Sequence, residues 1–303
     1  MPEVPSISPA AIQITDLWAK LPHGFGKRMI LKGLELQLNK GQTLGLLGPN
    51  GSGKSTLMKH LAGLLRPTRG QVLVLGGHAH QPASLTRASY LPEDSPFPDD
   101  LNGLQALGLL ASLRGRRDKG ALLAALDRAG LSTHPKTKLG RYSRGMLRRF
   151  GLAQAFLFEP ELVLLDEPSA GLDAPGLTLL QDYIREHQQR GGSLVLASHV
   201  VSELASLTDR LAVLIDGTIA CEGPTLDILG VPGKLSIEVE GMQPDLQKRL
   251  SDWLREQGVR QVRTVPALRD AIDIYKGAET NAISETNDSS DVSNSGAKTN
   301  DGR

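Results

Sequence analysis

The stretch that decides the fold is GPNGSGKST, residues 48–56. It fits the pattern G-x-x-x-x-G-K-[ST], in which a glycine-rich turn joins a strand to a helix and points backbone N–H groups inward. A short apolar run, residues 43–47, precedes the motif as a buried strand would. Leucines at helical spacing follow it: Leu57, Leu61, Leu64 and Leu65. Strand, glycine loop and helix in this order predict a phosphate-binding loop.

The residues of the loop predict how the ligand is held. Glycine lets backbone N–H groups approach phosphate oxygens closely, and the helix that follows adds the positive end of its dipole. Lys54 would reach the terminal phosphates and assist catalysis, and the Ser55 hydroxyl would hold Mg²⁺. Thr56 either adds a phosphate contact or only packs. The expected nucleotide contacts are Gly48, Pro49, Asn50, Gly51, Ser52, Gly53, Lys54, Ser55 and Thr56.

A second motif, LVLLDE at residues 162–167, places two adjacent carboxylates after four apolar residues. The apolar run is typical of a buried parallel strand, and ligands bind at the carboxyl ends of such strands. We expect Asp166 to hold the Mg²⁺ shell and Glu167 to polarise a water for attack on a γ-phosphate. A surface Asp-Glu pair after a core strand is the alternative, and the nearby phosphate loop argues against it.

Between these motifs, YSRGM at residues 142–146 opens a helix that continues through Arg149, Leu152 and Ala153. Ser143 and Gly145 would present a hydroxyl and a backbone N–H at the helix N-terminus, which makes a second anion site. One chain does not need two γ-phosphate sites, whereas a head-to-tail dimer does. The motif therefore predicts that each copy closes on the ATP of the other.

Together these motifs resemble those of the ABC ATPase family, the nucleotide-binding subunits of ATP-binding cassette transporters. The resemblance covers about residues 11–225 and includes SAGLD at 169–173 and SHV at 198–200. It implies that residues 169–173 form a loop across the dimer interface, with Asp173 at the nucleotide site. It also implies that His199 is the switch histidine that contacts the γ-phosphate; a purely structural histidine is the alternative.

Two further positions are implied by the resemblance. Phe25, in FGKR, occupies the place of the aromatic residue that stacks on adenine, after a short insertion at residues 21–24. Local packing in a turn is the alternative for Phe25. Glu93, in YLPED, stands where the family usually has a glutamine that touches Mg²⁺ and the attacking water. Residues 94–100 should then lie near the groove that receives the coupling helix of a transmembrane partner.

The signature YSRGM departs from the commonest LSGGQ form of the family. Arg144 replaces a glycine and Met146 replaces a glutamine, while the phosphate-facing Ser143 and Gly145 are kept. The S-[RK]-G-M form, together with YLPE, resembles an export-type branch that includes NosF-like subunits of the nitrous-oxide reductase maturation system. It points to a branch and to no particular substrate.

Composition limits the possible partners. The 303 residues include 34 basic and 33 acidic side chains, and the net charge of +1 gives no reason to expect nucleic acid as a partner. Cys221 is the single cysteine, which excludes an internal disulfide and suits a reducing cytosol. The N-terminus does not resemble a secretory signal, and no run of ~18 apolar residues occurs. If the protein serves a membrane, another chain is expected to cross it.

Strands alternating with helices predict an α/β fold with a parallel sheet, and the resemblance implies that it is a P-loop NTPase fold of the ABC nucleotide-binding type. This fold has a parallel sheet core, an antiparallel β part and a helical subdomain, here with a small C-terminal α/β extension. We expect a loose arm, the ATPase domain, the extension and a disordered tail at residues 1–10, 11–230, 231–276 and 277–303, with the helical subdomain at about 99–150. Strands are expected at residues 11–17, 34–38, 43–47, 71–75, 162–165, 193–197 and 211–215.

The function implied by the resemblance is that of an ATPase subunit on the inner face of the cell membrane. It would pair with a second ATPase subunit, in a homodimer, and power a transmembrane permease, with export as the implied direction. A soluble cassette ATPase acting on DNA or ribosomes is the first alternative, but such proteins usually have two cassettes, coiled coils or basic inserts. A regulatory module that binds ATP without useful hydrolysis is the second, and Lys54, Asp166, Glu167 and His199 argue against it.

Overall fold

Two β-sheets form the framework of the computed structural model, which describes residues 10–24, 26–116 and 118–229. One sheet has six strands in the order β10-β9-β3-β8-β7-β6, and the other has four in the order β2-β1-β4-β5. The strands are β1 (Ala10–His23), β2 (Gly26–Asn39), β3 (Thr43–Leu47), β4 (Arg69–Val74), β5 (Gly77–His78), β6 (Ala88–Leu91), β7 (Leu162–Asp166), β8 (Ser193–Ser198), β9 (Arg210–Ile215) and β10 (Thr218–Pro224).

Helices cover the sheets and form a separate block between β6 and β7. They are α1 (Lys54–Leu61), α2 (Pro82–Leu85), α3 (Gly103–Leu113), α4 (Lys119–Arg128), α5 (Arg144–Phe156), α6 (Ala174–Gln189), α7 (Val201–Leu207) and α8 (Thr225–Leu229). A short 3-10 turn, Leu139–Arg141, precedes α5. No helix in residues 10–24, 26–116 and 118–229 has the length and apolarity that a membrane span requires.

The six-stranded sheet is parallel except at one edge. β3 pairs in parallel with β8 and β9, and β7 pairs in parallel with β6 and β8, whereas β10 runs antiparallel to β9. Along β7, Leu162 and Leu164 pack on one face and Val163 and Leu165 on the other, and all four are buried. A strand covered on both faces needs an unbroken apolar run, which is what the sequence shows here. All the carboxyl ends of the parallel strands reach the same edge.

The four-stranded sheet is built on a long β1–β2 hairpin that packs with α1 against one face of the larger sheet. Backbone pairs join Leu21 to Arg28, Pro22 to Lys27 and His23 to Gly26. Residues 21–23, expected as an insertion, therefore lengthen the hairpin, and Gly24 turns at its tip. Phe25 lies outside the described residues.

The helical block has a core of its own. Leu107, Leu126, Leu139 and Phe150 are buried together between α3, α4 and α5. The far half of α5 packs with α6 against the other face of the six-stranded sheet, where Leu152, Leu180 and Ile184 meet β7 and β8. Helix α5 therefore belongs to both the helical block and the sheet layer.

The predicted α/β class is confirmed, but several elements differ from their predicted bounds. β1 begins at Ala10 and extends well past residue 17, and β6 and β10 were not predicted, since their apolar patterns are short or partly polar. The helix after the phosphate loop ends near Leu61, so the expected helical positions of Leu64 and Leu65 are wrong. Gly63 has φ +70°, and Leu64 donates to the Lys59 carbonyl at 2.9 Å, which is a glycine helix stop.

The proposed division into domains stays a prediction. Residues 1–9 of the arm expected at 1–10, the extension at 231–276 and the tail at 277–303 lie outside the described part of the chain, whereas Ala10 belongs to β1. Among the described residues, the candidate site lies at the carboxyl edge of the six-stranded sheet and at the neighbouring ends of the helices.

Candidate active site

The loop between β3 and α1 is shaped by its glycines. A Cβ at Gly48 would lie 2.2 Å from the carbonyl oxygen of Leu214, so only glycine fits there. Gly51 and Gly53 have φ of +80° and +112°, a region that other residues enter at a cost of about 1 to 2 kcal/mol. Pro49 and Asn50 are exposed on the outer curve of the loop, and Ser52 is buried with an Oγ that makes no hydrogen bond to any described residue.

Lys54 begins α1 and turns its side chain back into the loop. Its Nζ donates to the carbonyl oxygens of Gly48 at 2.7 Å and Pro49 at 3.4 Å, and lies 3.8 Å from Oε1 of Glu167. The side chain is 6% exposed. A buried ammonium held by carbonyl oxygens places a fixed positive charge inside the curve of the loop, where phosphate oxygens would be attracted. Ser55 and Thr56, the next two residues, are partly buried.

Asp166 ends β7 with its carboxylate 1% exposed. The hydroxyl of Tyr90 on β6 donates to Oδ2 at 3.4 Å, while Oδ1 has no hydrogen-bond partner among the described residues. Burial raises the pKa of Asp166, as do the carboxylates of Glu93 and Glu167, and the Ser55 hydroxyl acts in the opposite direction. A buried, incompletely paired carboxylate of this kind is suited to a cation.

Glu167 follows with an unusual backbone. Its φ is +47°, in the left-handed region, and its N–H donates to the Ala197 carbonyl of β8 at 2.9 Å. Oε2 lies 2.8 Å from Nδ1 of His199, and Oε1 faces Lys54. Strained residues of this type cluster at functional sites, and here the strain turns the Glu167 side chain between a lysine and a histidine. The His199 ring is 61% exposed and therefore open to a ligand.

Glu93 also reaches this edge of the sheet, two residues after β6 ends. It is exposed, and its charge acts on the pKa of Asp166. The structure thus brings together the phosphate loop, Asp166, Glu167, Glu93 and His199 at the carboxyl ends of β3, β7, β6 and β8.

Ser143, Gly145 and Asp173 form a second group. Ser143 Oγ accepts from the Met146 N–H at 3.2 Å and caps α5, and Asp173 Oδ1 accepts from the Gly176 N–H at 3.0 Å and caps α6. A Cβ on Gly145 would lie 3.3 Å from the Gly171 carbonyl oxygen, so the two segments adjoin. No hydrogen bond or ion pair among the described residues joins these three to the phosphate loop.

Three site residues were not expected from the sequence. Tyr90 contacts Asp166, and Glu203 on α7 accepts from Ser169 at 3.1 Å and Ser198 at 2.6 Å. Arg148 on α5 donates to backbone carbonyls after β6 and β7. A cation on the otherwise apolar, core-facing side of α5 is the one signal that would have indicated Arg148. Nothing in the local sequence marks the other two.

A glycine loop around a buried lysine, facing two carboxylates that end a parallel strand, defines a P-loop nucleoside triphosphatase. The family model for the ABC transporter matches residues 31–170. An ABC transporter ATP-binding protein of Nostoc sp. is 36% identical over 255 residues, which cover 82% of this chain and 75% of that protein. The chain therefore belongs to the ABC transporter family as an ATP-binding subunit, and it is an ATPase.

Two other relatives are also ATP-binding proteins of transport systems. An ABC transporter ATP-binding protein of Synechocystis sp. is 36% identical over 235 residues, covering 76% of this chain and 66% of that protein. The lantibiotic transport ATP-binding protein SrtF of Streptococcus pyogenes is 31% identical over 202 residues, covering 67% and 87%.

Solved structures agree on the fold. The ATP-binding subunit of an ABC transporter superposes with a TM-score of 0.67 at 26% identity, covering 80% of this chain and 99% of that one. The ATP-binding cassette MJ0796, solved as a dimer in a post-hydrolysis state with ADP and Pi, has a TM-score of 0.65 at 22% identity, covering 71% and 98%.

Proposed function

We propose that this chain hydrolyses ATP between two copies of itself and thereby powers a separate permease that crosses the membrane. The observation that carries the catalytic part is the Glu167 carboxylate, held between Lys54 and His199 at the mouth of the phosphate loop. Glu167 is the general base that orients and deprotonates the attacking water, because its carboxylate lies between the phosphate-loop lysine and the exposed His199, where the γ-phosphate would be bound. His199 contacts the γ-phosphate, and the ammonium group of Lys54 compensates the negative charge of that phosphate.

Asp166 and Ser55 are the proposed Mg²⁺ ligands, with Glu93 beside them. The fit rests on the buried Asp166 Oδ1, which has no hydrogen-bond partner in the described part of the chain, and on the neighbouring carboxylates that disfavour its charged form. When bound, Mg²⁺ neutralises charge on the phosphate oxygens. The protein side chains then hold the triphosphate in line with Glu167.

The second copy is inferred from the group that does not face its own loop. Ser143 and Gly145 lie at the N-terminus of α5 beside the segment that ends at Asp173, and no hydrogen bond or ion pair among the described residues joins these three to the phosphate loop. A head-to-tail dimer would bring this helix N-terminus to the γ-phosphate of the other copy. The cassette MJ0796, which has a similar fold, was solved as a dimer, in keeping with the proposal of a second copy. Phe25 remains the predicted adenine contact.

The permease partner fits an apolar cavity at the helical block. The cavity has a volume of about 240 Å³ and is lined by the proline-rich segment after β6 and by α3. Its walls include Phe97 and Leu109, and Leu109 is 50% exposed. Such a cavity accepts an apolar helix end. We place the protein on the inner face of the cell membrane and infer export from the form of the YSRGM signature.

The test of the catalytic role is Glu167→Gln. Because the amide cannot take a proton from water, turnover should fall by about 10² to 10⁴-fold while ATP binding stays within about threefold. With hydrolysis blocked, the variant should accumulate as an ATP-dependent dimer, measured by light scattering after gel filtration with ATP and Mg²⁺. Glu186→Gln is the matched control and should turn over ATP as the wild type does, because Glu186 is a half-buried glutamate on α6 that pairs with Arg128. Near-normal turnover of E167Q would show that Glu167 is not the base.

A further inference from the structure

Arg148 donates more side-chain hydrogen bonds than any other residue in the described part of the chain. It lies on α5 and its side chain is buried. Nε donates to the Pro168 carbonyl oxygen at 2.9 Å, Nη1 donates to those of Pro92 at 2.7 Å and Glu93 at 3.2 Å, and Nη2 donates to those of Asp166 at 2.6 Å and Glu167. A guanidinium has five N–H donors, so every donor has a carbonyl acceptor.

The acceptors belong to the two segments that carry the proposed catalytic groups. Asp166 and Glu167 give the metal ligand and the base, and Glu93 gives the third carboxylate of the site. None of the five bonds reaches a carboxylate oxygen, so Arg148 leaves these side chains free to act and fixes only the backbone beneath them. Glu167 needs such support, because its backbone is held at a φ of +47°.

Charge supports the same role. Burial lowers the pKa of Arg148, and the carboxylates of Asp166, Glu93, Glu167 and Glu203 raise it. The guanidinium stays protonated under all ordinary conditions. It is therefore a permanent cation on the α5 side of a cluster of carboxylates, and the planar fork gives it a direction that an ammonium lacks.

We propose that Arg148 is a positioning residue that ties helix α5 to the ends of β6 and β7 and so holds Glu167 and Glu93 in their working orientation. This inference rests on the proposed roles of those two glutamates. Because α5 begins with the YSRGM segment, Arg148 also joins the face proposed for the second copy to the catalytic edge of its own chain.

The experiment compares Arg148→Gln and Arg148→Lys with Arg128→Gln. Arg128 is an arginine of the same helical block that forms an ion pair with Glu186 and lies over the ring of Tyr183, away from the catalytic edge, so it serves as the control. Steady-state ATPase assays should show kcat of R148Q lowered by about tenfold to hundredfold, the loss that a small misplacement of a catalytic group produces. KM for ATP should change by about twofold at most, because the phosphate loop is untouched. R148K should regain part of the rate, since it keeps the charge and three of the donors.

Two measurements distinguish a loss of positioning from a loss of folded protein: the number of ATP-binding sites in each sample, and the effect of R148Q in the E167Q background. Rates are expressed per site that binds a fluorescent ATP analogue, and thermal unfolding is recorded for each variant. If Arg148 acts through Glu167, R148Q should lower the single-turnover rate of E167Q by about twofold or less, because residues that act as a unit are not additive.

The outcomes are distinct. An R148Q rate per site equal to the wild type, or an equal fold-loss in the wild-type and E167Q backgrounds, would overturn the positioning role. Near-normal turnover of E167Q alone would instead overturn the proposed base. If R148Q does not fold, R148K is assayed in its place. An ATPase rate per site of R148K equal to that of the wild type would then contradict a positioning role for the planar guanidinium.

Discussion

At the scale of single residues, the site consists of buried cations and carboxylates of opposite charge at the carboxyl edge of the six-stranded sheet. Lys54 and Arg148 are buried cations on two sides of Asp166 and Glu167, and His199 lies at the open side. Removing a buried charge leaves its partner uncompensated, so single substitutions here should be costly and specific. Glu93 is the exception, because it is exposed and meets water.

Glu93 provides a prediction of its own. If its carboxylate oxygen serves the metal and the water, Glu93→Gln should keep most of the activity, because an amide oxygen has the same reach. Glu93→Ala should lower turnover by about tenfold and raise the Mg²⁺ concentration for half-maximal rate. ATPase activity as a function of Mg²⁺ measures both effects. Asp94→Ala, at the exposed neighbouring position, is the control, and equal activity of E93A and D94A would remove Glu93 from the site.

At the scale of elements, the corner between β8 and α7 joins two loops through one carboxylate. Glu203 accepts from Ser198, at the end of β8, and from Ser169, at the start of the segment that leads to α6. Ser198 also accepts from the Val200 N–H at 3.0 Å, next to His199. A shift of Ser169 would therefore be transmitted through Glu203 and Ser198 to the segment that contains His199. Glu203 Oε1 has no hydrogen-bond partner among the described residues, so the carboxylate is incompletely satisfied.

The pH dependence of stability follows from Glu203. Burial raises its pKa above the ordinary value of 4.5, although the Ser198 and Ser169 hydroxyls and His199 act against this. As pH rises through 4.5 the unfolded chain releases this proton first, so stability falls until the raised folded pKa is passed, and the penalty persists above it.

The neutral variant Glu203→Gln removes that penalty. Its midpoint of thermal unfolding should exceed that of the wild type at pH 7.5 by about 2 °C or more, and the gain should shrink toward pH 4. Circular dichroism melts from pH 4 to 8 measure the difference. Glu186→Gln is the control, because the hydrogen bond from Arg128 lowers the pKa of Glu186, and this variant should show no gain. A constant difference at every pH would rule out the carboxylate charge as the cause.

At the scale of the whole molecule, the helical block carries the surface that a partner would use. α3, α4 and the first half of α5 share a core apart from the sheet, while Arg148 and the packing of α5 on α6 join the block to the catalytic edge. A partner seated in the cavity between α3 and the segment after β6 would thus contact the chain close to Glu93. This places the proposed permease contact and the site on one continuous piece of backbone.

The partner surface is tested by Leu109→Asp. A carboxylate in the cavity wall should weaken association with the permease by about tenfold, because burying the charge is costly. ATPase activity of the isolated chain should remain within about twofold, since Leu109 is half exposed on α3 and is none of the groups proposed to bind the nucleotide. Retention of the tagged chain by detergent-solubilised membranes from its own cells measures the association. Leu123→Asp on α4, where Leu123 is 48% exposed, is the control, and equal retention of both variants would place the partner elsewhere.

The sequence by itself determined the α/β class, the phosphate loop, the two carboxylates at the end of β7 and the histidine after β8. These features are local: a strand, a turn and a helix follow one another within a few residues, and their residue types are dictated by backbone shape and by phosphate chemistry. Only part of the long β1–β2 hairpin was expected. Residues 21–23 pair with residues 26–28, and neither stretch shows the alternation of apolar and polar residues that predicts a strand.

The tertiary structure alone decided what supports the site. Arg148 reaches carbonyls that are 18 to 56 residues away along the chain, and Glu203 joins Ser169 across 34 residues. The acceptors of Arg148 are backbone oxygens, which every residue carries, so no pattern of side chains announces them. Contacts of this kind exist only when the strands have been brought to one edge of the sheet, and that arrangement is a property of the folded chain.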